Sequence, residues 1–150
     1  MVWSCLVSIL PGMAQTEKLT DYVNPFVGTD GYGNVYPGAQ IPFGGIQISP
    51  DTDSRFYDAA SGYKYNHLTL MGFSLTHLSG TGIPDLGDFL FIPGTGEMKL
   101  EPGTHEDPDQ GYCSRYSHDK EWASPNYYAV ELADYGVKAE MTSGVRSGMF

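Results

Sequence analysis

The stretch "NYYAVELADYGVKAEMTSGV", Asn126 to Val145, constrains the fold more than any other part of the chain. Tyr128, Val130 and Leu132 recur at every second position before "DYG", and Val137, Ala139 and Met141 do so after it. A period of two places alternate side chains on one face of a strand, so the two runs read as an antiparallel hairpin with their apolar sets opposed. Tyr127 and Tyr128 then face opposite ways. "GGIQISP" repeats the alternation, and "DFLFIP" is a short apolar run closed by proline. No amphipathic helix of ordinary length can be read anywhere. Nineteen glycines, ten prolines and eleven tyrosines among 150 residues fit a turn-rich all-β chain, and strands at this spacing predict an antiparallel β-sandwich.

Charge and the N-terminal segment narrow the setting. Eighteen acidic residues against eight basic ones give a formal net charge of −10, which repels nucleic acid and anionic membrane surfaces. Val2 to Leu10 is apolar and is followed by Pro11, Gly12 and Ala14, so residues 1–14 read as a signal peptide with a truncated n-region that lacks Lys or Arg. That run is too short to span a bilayer. Cleavage after Ala14 removes Cys5 and leaves Cys113 alone, so no internal disulfide is expected. The last strand reaches "SGVRSGMF" without a closing turn, which reads as an incomplete domain running from 15 to 150.

The loops carry the chemistry, and most familiar chemistries fail there. "GTDGYGN" and "SGTGIPDLG" are glycine-rich, but neither has a following Lys-Ser/Thr or opens a helix, so phosphate cradling is excluded. "DTDSRFYDAASG" starts like a calcium loop, yet Arg55 stands at its fifth position, Phe56 replaces the turn glycine and Gly62 replaces the bidentate glutamate. His67, His77, His105 and His118 lack paired metal-ligand spacing. Neither "HLSGTG" nor "GYCSRY" has the setting of an activated nucleophile. The carboxylates of "SPDTDSR" and "DLGD" fit acid–base work in glycoside cleavage, and equally turn formation and capping. Aromatics beside ordered glycine loops suit a sugar surface, with ring faces on C–H patches and carboxylates on hydroxyls.

Four motifs in order, "YVNPFVGTDGYGNVYPGAQIPFGGIQISPDT", "SGYKY", "GFSLTHLSGTGIPDLGDFLFIP" and "YSHDKEWASPNYYAVELADYGVKAEMTSGVRSG", closely resemble the N-terminal β-sandwich domain of the family 92 glycoside hydrolases, from about Asp21 to Phe150. The resemblance implies a galactose-mutarotase-like supersandwich that packs on a larger C-terminal (α/α)6 domain, with the active site at their junction. It implies an exported, calcium-dependent, inverting exo-α-mannosidase, periplasmic or at the cell surface, acting on α-mannoside glycans. The general acid, the base and most Ca2+ ligands are expected from the helical domain, so no catalytic or metal-binding residue is assigned here.

Residue by residue, the resemblance makes Phe43 and Gly44 of "IPFGGIQ" contacts to the terminal mannose. Arg55 is a further candidate, although Asp53 and Ser54 separate it from the "DT" that it directly follows in many members. His77, Ser79, Gly80, Asp85 and Asp88 belong to the loop that forms the pocket or the domain interface, with loop bracing the favoured role of the two aspartates. Ile83 and Pro84 stand where many members have Cys and a small residue. Taken singly, Phe43 also fits a core aromatic and Gly44 a bulge. Two other readings stay open: a free-standing carbohydrate-binding module, and a structural or adhesive sandwich from a decayed gene.

Overall fold

In the computed structural model, the described residues are 17–53, 57–85 and 87–150; the segment read as a signal peptide (1–14) and Arg55 lie outside them. Nine strands are formed among these residues: β1 Ser49–Asp51, β2 Thr69–Leu70, β3 Gly72–Ser74, β4 Leu90–Phe91, β5 Ser114–Arg115, β6 Glu121–Ser124, β7 Tyr127–Leu132, β8 Val137–Ser143 and β9 Gly148–Met149. All pairings between them are antiparallel, in the orders β1-β3-β4, β2-β5 and β6-β7-β8-β9. Among the described residues helical structure is limited to 3-10 turns of three or four residues. The chain is thus an antiparallel β-sandwich, and no helix of the described residues is long and apolar enough to cross a membrane.

The hairpin expected from alternation is β7–β8. Tyr128 pairs with Met141, Val130 with Ala139 and Leu132 with Val137, so the two apolar sets meet across the ladder. Five of those six side chains are buried, in one cluster with Ala39, Ile48, Tyr63, Leu70, Phe73 and Tyr116. At about 1.5–3 kcal/mol for each large aliphatic side chain removed from water, that face alone outweighs any single loop contact. Two residues, Pro125 and Asn126, connect β6 to β7. Asn126 takes a positive φ of 61°, which asparagine tolerates, and its side chain bonds both the N–H and the carbonyl of Ser143.

Polar groups close the core at one end. The Glu121 carboxylate is almost wholly buried and accepts from the Tyr63 hydroxyl at 3.0 Å and the Tyr128 hydroxyl at 2.5 Å. His118 Nδ1 lies 2.6 Å from its other oxygen, while His118 Nε2 faces the Tyr65 carbonyl at 2.7 Å. Burial, followed by nearby tyrosine and Glu121 charge, pushes the Tyr63 and Tyr128 phenols far above their ordinary range. A buried carboxylate is tolerable only with such a set of donors.

The "GGIQISP" strand is shorter than the alternation implies. Only Ser49–Asp51 joins a ladder, on β3, with Ile48 bridged to Ala39. Gly45 and Gln47 instead donate to the Val145 and Leu75 carbonyls, because this segment turns between two sheets rather than following one. Cys113 is a buried free thiol, and burial raises its pKa.

Candidate functional site

Ile41, Pro42, Phe43 and Gly44 make a tight turn closed by the Gly44 N–H on the Ile41 carbonyl at 3.0 Å. Proline at the second position and a positive φ at the third are the pattern of a type II turn, where the third residue is normally Gly or Asn. Here it is Phe43, at φ 60°, with its side chain fully exposed. The core-aromatic reading of Phe43 is therefore wrong: the turn rotates the ring outward. Gly44 is not a bulge but the last residue of this turn. A Cβ on it would fall 2.9 Å from the Ile41 side chain and 3.5 Å from the Gly144 carbonyl, so only glycine fits without a shift.

The loop after β3 holds the remaining candidates. His77 is buried inside the chain. Its Nδ1 donates to the Gln47 carbonyl at 2.7 Å, and its Nε2 lies 2.9 Å from Asp51 Oδ1 and 3.0 Å from Ser74 Oγ. Tyr36 packs on the imidazole at 5.0 Å, and burial pushes its own phenol up to about 12. His77 thus fixes the loop to β1 and β3. Ser79 and Gly80 are exposed; Gly80, at φ 74°, donates to the Asn34 carbonyl at 2.6 Å, which joins this loop to the "GYGN" loop. Asp88 braces the same loop by accepting from Thr76 Oγ1 at 3.1 Å.

Asp85 lines a cavity of about 100 Å³ with Asp51, Ser61, Ser74, Thr76 and His77. Asp51 Oδ2 is buried there without a hydrogen bond among the described residues. The space admits water or one substituent, since whole small-molecule sites run to about 300 Å³ or more. A cavity of about 670 Å³ between Leu90, Phe91, Ile92, Pro93, Val137, Ala139 and Phe150 is large enough, and its charged lining residues, Lys138 and Glu140, are paired with each other at 3.0 Å. Ser74 and Tyr36 escaped the sequence reading, and Asp51 entered it only as one of the carboxylates of "SPDTDSR": nothing local says that an aspartate will meet a histidine 26 residues later.

Phe43 and Gly44 sit on one turn, whereas His77, Asp85 and Asp88 share the loop after β3; Arg55 lies outside the described residues. No group of three or more His, Cys, Asp or Glu among the described residues is arranged to hold a metal ion. These two segments offer a held histidine, a strained exposed aromatic and a braced acidic loop.

Comparison with known proteins bears on this surface. Residues 22–150 match the family model for the glycosyl hydrolase family 92 N-terminal domain. A solved family GH92 α-mannosidase from Bacteroides thetaiotaomicron, BT3965, in complex with mannoimidazole, is 99% identical over 88% of this chain and 17% of its own, with a TM-score of 0.86. The GH92 glycosyl hydrolase ccman5 is 34% identical over 86% of this chain and 18% of its own, with a TM-score of 0.70. A protein of Arthroderma benhamiae named an uncharacterized secreted glycosidase is 32% identical over 81% of this chain and 15% of its own length. The chain therefore spans less than a fifth of the length of each of these relatives. With its strands, its braced loop and these matches taken together, the chain belongs to glycosyl hydrolase family 92, through that family's N-terminal domain.

Proposed function

We propose that this chain is the N-terminal sandwich, residues 15–150, of an exported, inverting exo-α-mannosidase, and that it shapes the pocket for the terminal mannose rather than moving protons. The observation that carries this reading is Phe43. A bulky residue in the left-handed region costs about 1–2 kcal/mol, and nothing inside the described chain offsets that cost, because the ring contacts solvent. Strain of this kind persists where a side chain must be presented, and an aromatic face beside a backbone kept bare by Gly44 suits the C–H face of a pyranose. The near-identical relative, described as an α-mannosidase in complex with mannoimidazole, supports the choice of sugar.

Within this reading, residues 1–14 direct export, in keeping with the secreted glycosidase among the relatives. Arg55 adds a hydroxyl contact, and the loop of His77, Ser79, Gly80, Asp85 and Asp88 packs against a C-terminal (α/α)6 domain. General acid, general base and Ca2+ ligands come from that domain. This chain's own part is to hold the sugar ring in the orientation that in-line attack by water requires. The test is mannose release from a terminal α-mannoside by the full-length protein, with the anomer of the product followed by NMR. β-Mannose as first product, lost on chelation, is the expected result; no release, or retention of configuration, overturns it.

A further inference from the structure

Asp51 Oδ2 is a buried acceptor without a donor. Asp51, on β1, is 6% exposed, and its two oxygens have different surroundings. Oδ1 is enclosed: His77 Nε2 lies 2.9 Å away, and a Cβ on Gly62 would fall 2.1 Å from it. Oδ2 has no hydrogen-bond partner among the described residues. A buried carboxylate oxygen left in that state is among the costlier arrangements in a protein interior. The cavity of about 100 Å³ that Asp51 lines is rich in further acceptors. Ser61 Oγ donates to the Tyr63 carbonyl at 3.4 Å and Thr76 Oγ1 donates to Asp88 at 3.1 Å, so each spends its proton elsewhere and keeps lone-pair capacity. Asp85 adds a second carboxyl at the exposed rim, Met71 and Leu90 supply apolar wall, and no lysine or arginine among the described residues lines the space.

What the cavity lacks is donors. A lysine ammonium brings three N–H donors, no acceptor and a methylene stem that packs on apolar surface, which matches the mixture of acceptors and apolar wall. A guanidinium binds a carboxylate best through both of its oxygens, and here Oδ1 is already enclosed. The formal net charge of −10 favours a cationic group on whatever surface meets this one. We infer that the cavity is a socket for one lysine of the C-terminal domain, whose ammonium pairs with Asp51 and fastens the loop of His77 and Asp85 to that domain. This inference rests on the reading above in which that loop packs against a C-terminal domain.

The experiment labels the lysines of the full-length protein with an amine-acetylating reagent and follows each site by mass spectrometry. One lysine beyond residue 150 is expected to react slowly in the unsubstituted protein. Asp51→Asn, which keeps the side-chain shape, is expected to raise its rate about tenfold or more, while the exposed Lys120 and Lys138 keep theirs. Leu90→Trp, which fills the cavity from its wall and leaves Asp51 in place, is expected to expose the same lysine. If Asp51→Asn raises every lysine together, as unfolding would, Leu90→Trp decides. No single lysine beyond residue 150 that responds to the folded variants overturns the socket. Mannose release is measured separately on the unsubstituted protein; its absence overturns the mannosidase reading and leaves the labelling result standing.

Discussion

Two turns in this molecule have the same backbone pattern and opposite side-chain fates. Pro125–Asn126 and Pro42–Phe43 each place a residue at a φ of about 60° directly after proline. Asn126 suits that conformation and ties its amide to Ser143, so its turn serves the β6–β8 ladder. Phe43 does not suit it, and its ring is spent on solvent. The first turn is explained by what it holds together; the second is explained only by what it presents. Local strain without local return is what the proposed contact of Phe43 with a sugar accounts for.

Substitutions can separate the two kinds of region. The largest effect is expected at the centre of the well-tied region: Glu121→Ala leaves the Tyr63 and Tyr128 hydroxyls and His118 without their acceptor, and about 3–5 kcal/mol of stability should be lost, read as a fall in the denaturant midpoint. A loss under about 1 kcal/mol would mean that the buried network is not what closes this end of the core. His77→Ala, at the base of the presenting region, removes the partner of buried Asp51 and is expected to cost about 2–3 kcal/mol, with mannose release falling as the loop loosens. Unchanged release despite that destabilisation would separate the loop from the site.

The well-tied region should also be the more sensitive to alkali. Tyr63 and Tyr128 have folded pKa values raised above their unfolded value near 10, so the stability they contribute is complete below about pH 10 and is lost as pH rises beyond it. Thermal melts between pH 9 and 12 should decline steeply, and Tyr128→Phe should flatten the decline. An identical slope in the variant would contradict the assignment. The smallest effect on stability, and of opposite sign, is expected at the strained turn. Phe43→Asn should stabilise the fold by about 1 kcal/mol while raising KM for mannosides, and a destabilised variant would show that the ring contributes to folding after all.

The alternation of Tyr128, Val130 and Leu132 with Val137, Ala139 and Met141 settled the longest hairpin and its opposed apolar faces from sequence alone, because side chains two apart share a face whatever surrounds them. Family membership was equally legible, since the four motifs keep their order and their spacing. Tertiary structure decided the rest. The exposure of Phe43 depends on a turn whose neighbours are Gly144 and Val145, about a hundred residues away. The burial of His77 depends on Asp51 and Gln47, which its own sequence neighbourhood does not reveal. Period and propensity act over a few residues and can be read directly; which loops meet, and which side chain is left facing out, is a property of how the sheets pack.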